Sequence, residues 1–178
     1  MRLWLIAFLY FLPAGFANLA PVLASKVPWL SKWQTPLDFG KNYQGKRILG
    51  DSKTWRGLVA GMVLAGLVSC AEWLVFYRPH HISFVGLALT IFSGMLMGFG
   101  ALAGDAVESF FKRRVGVKPG DSWFPFDQID YIIGGLLVTF PFAIWRPGII
   151  VRIFILYFGL HLLLSYIAYL LGLKSKPI

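Results

Sequence analysis

Five long stretches of this chain are almost free of formal charge. Leu3–Ser25, Pro79–Gly104, Tyr131–Trp145 and Ile153–Leu173 contain no Asp, Glu, Lys or Arg, and Gly57–Tyr77 contains only Glu72. A helix needs about 20 apolar residues to cross a bilayer, and four of the stretches reach that length. Tyr131–Trp145 is shorter, about 22 Å at ~1.5 Å per residue. It is predicted to begin earlier, near Phe126, with Asp127 and Asp130 in its first turn. The expected architecture is an all-α polytopic membrane protein: one membrane domain over residues 1–178, with five transmembrane helices joined by loops. Composition agrees. Charged residues are 14% of the chain, against about 25% in soluble domains, which excludes an ordinary cytosolic enzyme. Cys70 is the single cysteine, so no internal disulfide can form.

Lysine and arginine predict the orientation. Of 17 basic residues, 13 fall in three regions: Lys26–Arg56, the loop after the third helix (Lys112, Arg113, Arg114, Lys118), and the tail (Lys174, Lys176). Five spans put all three on one side, which the positive-inside rule makes cytoplasmic. The cytoplasmic loops are then 26–54 and 113–126, with the N-terminus outside and the C-terminus inside. A cleaved signal peptide over residues 1–25 is the competing reading. It is disfavoured because the uncharged run exceeds the roughly 7–15 residues of an h-region. No internal repeat is visible.

The chemistry collects at that cytoplasmic side. The first loop carries Pro36-Leu-Asp-Phe-Gly-Lys41 and Gly45-Lys-Arg-Ile-Leu-Gly-Asp-Ser-Lys-Thr-Trp-Arg-Gly57. Its glycines allow close backbone approach to an anion, and Lys46, Arg47, Lys53 and Arg56 supply positive charge. Thr54 is placed to cap the second helix, and a helix N-terminus suits phosphate. The Walker A spacing is absent. A basic loop that merely sets topology is the alternative. At the end of the third helix, Asp105, Glu108 and Lys112 share a face; Asp127 and Asp130 share another at the start of the fourth. Carboxylates at a membrane boundary are costly, which makes them functional candidates; the alternative is simple pairing with Lys112 and Arg113, and capping by Asp127. Phosphates beside these acids require a divalent cation between them, and Mg²⁺ binds through carboxylates plus substrate phosphates. Phosphoryl or nucleotidyl transfer at a membrane surface fits this set.

Other residues carry less. His80 and His81 lie on the short outer loop, and His161 lies inside the fifth span. Cys70 is expected in the core or against lipid, and Glu72 at the interface or paired with Arg78. Gly57/Gly61 and Gly94/Gly98 are small-xxx-small pairs that favour close helix packing. Trp29 and Trp33 are expected as interfacial anchors. Pro13, Asn18 and Pro21 are expected to disturb the first helix near its cytoplasmic half, with Asn18 either satisfying backbone groups freed by a kink or facing a polar cavity.

These same stretches resemble the archaeal CDP-archaeol synthases. The matching residues are Leu12-Pro-Ala-Gly-Phe-Ala-Asn-Leu-Ala-Pro-Val-Leu23, Pro36-Leu-Asp-Phe-Gly40, Gly45–Gly57, Gly104-Asp-Ala-Val-Glu-Ser-Phe-Phe-Lys-Arg-Arg114 and Asp127-Gln-Ile-Asp130. That family is similar to the CDP-diacylglycerol synthases, which share a Ser-x-x-Lys-Arg stretch, here Ser109–Arg113, followed by paired aspartates. This chain departs from the wider pattern at Gln128, where an Arg is usual, and has Trp123-Phe-Pro-Phe126 in place of a His-Gly-Gly element.

The resemblance implies a Mg²⁺-dependent cytidylyltransferase that joins CTP to an unsaturated archaeal ether lipid phosphate, 2,3-bis-O-(geranylgeranyl)-sn-glycerol 1-phosphate. It implies Asp105, Asp127 and Asp130 as metal ligands and catalytic residues, together with Lys112. Phosphate contacts would come from Lys46, Arg47, Lys53, Thr54, Arg56, Lys112 and Arg113. Lys118, Asp121, Ser122 and Glu108 are weaker candidates, and Asp38 and Asn18 are candidates for nucleotide or headgroup contacts. The partners are CTP, lipid phosphate and the bilayer, with no nucleic acid. A small transporter is the rival from another class; it would need charge near mid-membrane, whereas here charge gathers at one boundary. A CDP-alcohol phosphotransferase is excluded by the missing D-G-x-x-A-R element.

Overall fold

The computed structural model describes residues 1–76, 83–118, 121–142 and 146–172. Arg78, His80, His81, Lys174 and Lys176 lie outside the described residues. Five helices follow in chain order: α1 (Arg2–Lys26), α2 (Trp55–Phe76), α3 (Phe84–Val115), α4 (Phe126–Thr139) and α5 (Pro147–Leu170). A two-stranded hairpin, β1 (Asn42–Tyr43) and β2 (Lys46–Arg47), sits in the loop between α1 and α2.

Among the described residues, α1, α2, α3 and α5 are long and apolar enough to cross a membrane. Helix α4 starts at Phe126, as the sequence predicts, but runs only 14 residues before a 3₁₀ turn at Phe140–Phe142. Helix α3 is the long element at 32 residues. At ~1.5 Å per residue it measures about 48 Å, well beyond a hydrocarbon core of about 30 Å. Its charge-free stretch ends at Gly104, and the last turns carry Asp105 through Arg114. Gly116, at φ 83°, ends the helix in the left-handed region, where glycine has no steric penalty. Lys112, Arg113 and Arg114 in the last turn oppose the dipole's negative end.

Association of helices in lipid rests on close packing, not on the hydrophobic effect. The small residues are used accordingly. A Cβ on Gly57 would lie 3.1 Å from Pro21 Cβ, and one on Gly61 would lie 3.1 Å from the Ala17 carbonyl. Gly98 meets Ala65, Gly61 and Ala17 together. Helices α1, α2 and α3 thus pack through glycine, alanine and proline, and α1 stays helical through Pro13 and Pro21. On the other side of α1, Phe11, Met97, Tyr131, Ile132, Ile153 and Tyr157 form a buried core joining α1, α3, α4 and α5. Its polar tips are satisfied: Tyr157 Oη donates to the Phe8 carbonyl (2.6 Å) and Tyr131 Oη to the Tyr157 carbonyl (2.9 Å). Leu67, Phe92 and Val151 are exposed on the outer surface, as a bilayer-facing surface requires.

Candidate active site

The crossing of α3 and α4 sets the site. Gly100 and Gly104 of α3 pack directly on Gly134 of α4: a Cβ on Gly104 would lie 2.2 Å from the Asp130 carbonyl oxygen, and one on Gly134 would lie 2.2 Å from that of Gly100. Only glycine allows such an approach. It carries Asp130 to the turn of α3 that holds Asp105 and Glu108. One carboxylate oxygen from each of these three residues lies within 4.8 Å of the other two.

Two lysines close the acids from either side. Lys53 Nζ donates to both Asp105 oxygens at 2.6 Å. Lys112 pairs with Glu108 at 3.3 Å, contacts Asp127, and donates to the Asp121 carbonyl at 3.2 Å. Asp127 also accepts from the Trp123 amide at 2.9 Å, tying down the entry to α4.

The fold of the first loop brings Lys53 here. Gln44 and Gly45 both have positive φ (52° and 73°), the pattern of a tight two-residue hairpin turn. Asp38 is the hub: buried, it accepts from the amides of Gly40 (3.0 Å), Leu49 (2.9 Å) and Gly50 (3.2 Å) and from Arg47 (2.8 Å). Residues 35–37 then pair with 53–55, through Leu37 N–H to the Lys53 carbonyl (2.8 Å) and Trp55 N–H to the Thr35 carbonyl (3.0 Å). Thr54 caps α2 as expected, its hydroxyl accepting from the Gly57 amide at 3.2 Å.

A residue not anticipated from the sequence locks this loop to α3. Arg114 donates to the carbonyls of Arg47 (2.8 Å) and Ile48 (3.2 Å), and its guanidinium lies 3.9 Å from the Phe110 ring centre and 5.2 Å from that of Tyr43. The signal was the alternation of aromatic and basic residues at the end of α3, which reads equally well as a membrane-surface anchor.

The predicted site residues therefore divide. Asp105, Glu108, Asp130, Lys53, Lys112 and Asp127 form one connected cluster. Glu108 completes the trio of converging carboxylates with Asp105 and Asp130, while Asp127 is engaged by Lys112 and the Trp123 amide. Arg47 is held by Asp38 and Asp51 (2.5 Å), Lys46 donates to the Arg114 carbonyl (3.3 Å), and Arg56 donates to the carbonyls of Leu30 and Ser31. Lys46 and Arg56 thus engage backbone carbonyls, and Arg47 engages carboxylates. Asn18 is half-buried on α1, Arg113 half-buried on α3, and Lys118 and Ser122 are exposed.

Asp38 has a pH signature. Burial opposes its ionisation, but the Arg47 guanidinium and the amides of Leu49, Gly40 and Gly50 outweigh burial and hold its carboxyl well below the usual carboxylate range. A depressed folded value contributes stability above the unfolded value of about 3.9, and the contribution is lost as pH falls from there toward the folded one. Asp38→Asn should thus speed amide exchange at Leu49 and Gly50 at neutral pH by at least about tenfold, the ~1.4 kcal/mol of one charged hydrogen bond. The gap between wild type and variant should narrow below about pH 4. Equal exchange at pH 7 would show that Asp38 does not hold the loop.

The family model described as CarS-like, CDP-archaeol synthase, matches residues 1–178. The CDP-archaeol synthase of Thermococcus onnurineus is 36% identical over 176 residues, covering 98% of this chain and 96% of that protein. That of Methanopyrus kandleri is 38% identical over 171 residues, covering 94% and 90%. A solved structure described as an intramembrane enzyme for archaeal membrane lipids biosynthesis superposes with a TM-score of 0.75, at 32% identity, covering 90% of this chain and 93% of that one. Matched along its whole length by the family model, and by relatives at 36% and 38% identity, the chain belongs to the CDP-archaeol synthase family.

Proposed function

We propose that this chain transfers the cytidylyl group of CTP to 2,3-bis-O-(geranylgeranyl)-sn-glycerol 1-phosphate, releasing pyrophosphate, with Mg²⁺ held by Asp105, Glu108 and Asp130. One observation carries the reading. Three carboxylates converge at the point where the polar loop, the end of α3 and the start of α4 meet, flanked by Lys53 and Lys112. The donors fit a hard cation: all are carboxylate oxygens, and Glu108 Oε1, though near Lys112, is buried and accepts no hydrogen bond among the described residues. Mg²⁺ bound there would neutralise charge on the transferring phosphoryl group and fix its orientation.

The protein's own groups do the rest. Lys112, braced by Glu108, Asp127 and the Asp121 carbonyl, presents a fixed positive charge beside the acids. Lys53 approaches from the opposite wall. A phosphate monoester has its second pKa near 6, so the lipid phosphate is already an oxyanion at neutral pH and needs no general base. One of its oxygens attacks the α-phosphorus of CTP, and the bond to the β-phosphate oxygen breaks. The negative charge leaves on pyrophosphate. Positioning and charge neutralisation suffice, as in other phosphoryl transfers.

Helix α4 is read as a short fifth crossing, with the N-terminus outside, the C-terminus in the cytoplasm, and the site at the cytoplasmic face; the charge asymmetry of the loops supports this. Chemistry and sidedness are tested together. Inverted membrane vesicles carrying the protein should release pyrophosphate from externally added CTP only when lipid phosphate is present. Sealed right-side-out vesicles should release none. Release without lipid phosphate would remove the transferase reading, and equal release from both vesicle types would remove the orientation.

A further inference from the structure

Lys53 and a divalent cation have the same target. Lys53 Nζ contacts both oxygens of Asp105 at 2.6 Å, and a divalent cation bound to either oxygen would lie close enough to the ammonium for the two like charges to repel strongly. We infer that Lys53 is the exchangeable counter-cation of the site: it yields Asp105 to the divalent cation and moves to the nucleotide's triphosphate, so that cation and nucleotide bind cooperatively. The inference rests on the proposed cytidylyl transfer and adds to it a coupling between two ligands.

The two lysines differ in how they are held. Lys112 has three partners from α3, α4 and the loop before α4, and its side chain is 11% exposed. Its displacement would uncover Glu108 and Asp127 at once. Among the described residues Lys53 ion-pairs with Asp105 alone; its side chain is 20% exposed, beside an Asp105 that is 25% exposed. Its backbone is pinned by Leu37, and Thr54 next to it caps α2. Only the flexible four-carbon stem can move, and an ammonium binds phosphate as a point charge from many directions. A cation arriving alone repels the Lys53 ammonium from Asp105 and offers it no new partner. A cation arriving with triphosphate supplies the new partner. By linkage, the factor by which triphosphate strengthens cation binding equals the factor by which the cation strengthens triphosphate binding.

The test is equilibrium binding, with no turnover. Mn²⁺ is titrated into the full-length protein in detergent, without nucleotide, and free Mn²⁺ is read by electron paramagnetic resonance. Lys53→Met should bind Mn²⁺ at least about fivefold more tightly than wild type, the lower end of typical coupling between sites. Lys53→Gln, which keeps length and polarity, repeats the measurement should the methionine variant fold poorly. Lys41→Met removes a charge from the same loop without touching Asp105 and should match wild type. Calorimetry then gives CTP affinity in EDTA and at saturating Mn²⁺; the ratio should be large in wild type and shrink in both Lys53 variants. Wild type that binds Mn²⁺ as tightly as both Lys53 variants would overturn the exchange while leaving the cation reading intact. No Mn²⁺ binding by any of the proteins would remove the cation reading and the exchange with it.

Discussion

Asp130→Asn is expected to lower cytidylyl transfer by at least about 10²-fold, roughly 2.7 kcal/mol of transition-state stabilisation, while leaving the protein as stable as wild type or more so. The opposite signs follow from how the acids are compensated. Asp105 is neutralised by Lys53, and Glu108 by Lys112. Asp130 makes no ion pair among the described residues, yet one of its oxygens lies within 4.8 Å of the other two carboxylates. Like charges held so close repel, so asparagine relieves the fold and disables the site. A purely structural aspartate would show the reverse, lost stability with activity per folded molecule retained. Initial rates of pyrophosphate release and a melting curve in detergent, on the same preparation, separate the two. Near-normal turnover in Asp130→Asn would remove this residue from the site.

Charge and hydropathy were enough to read the helices, the cap at Thr54 and the acids at the end of α3 and the start of α4, because each is local in sequence. The partition of the basic loop was not. Lys46, Arg47, Lys53 and Arg56 look alike as a string, and each is placed by a different partner that only the folded loop brings near: the Arg114 carbonyl, Asp38, Asp105, and the carbonyls of Leu30 and Ser31. The Asp38 hub joins an aspartate to amides up to 12 residues away. Lys53 then reaches an aspartate 52 positions later in the chain, a pairing no spacing rule supplies. The place of Glu108, rather than Asp127, in the carboxylate trio has the same origin. Lys112 pairs with both acids, so only the placement of α4 on α3 sets which of them offers an oxygen to Asp105 and Asp130. The glycines of that junction were half legible. Gly100-x-x-x-Gly104 repeats the small-xxx-small spacing of Gly57/Gly61 and Gly94/Gly98, but its partner Gly134 sits beside Gly135 with no period to mark it.

That junction supports the second large effect. Gly104→Ala should cost about 1–3 kcal/mol of stability through overpacking and, in the molecules that still fold, about 10²-fold in rate, as a misplacement of roughly 1 Å does elsewhere. The added methyl carbon would sit 2.2 Å from the Asp130 carbonyl oxygen, against 3.4 Å for ordinary contact. Helices α3 and α4 must therefore part by about 1.2 Å at this point. Side-chain adjustment cannot absorb the clash, since the obstacle is backbone and belongs to Asp130 itself. The displacement acts directly across the carboxylates, with Asp105 and Glu108 on one helix and Asp130 on the other. Lys112 resists it, because its contacts span both helices and would be stretched. Gly159→Ala provides the comparison. It is also a helix glycine, but nothing lies within 4 Å of its Cβ, so alanine there should be neutral or gain up to ~1 kcal/mol in helix propensity. Rates are normalised to folded protein by size-exclusion recovery, so loss of fold and loss of geometry are counted separately. A Gly104→Ala enzyme as fast per folded molecule as Gly159→Ala would mean that the α3–α4 contact does not set the spacing of the acids.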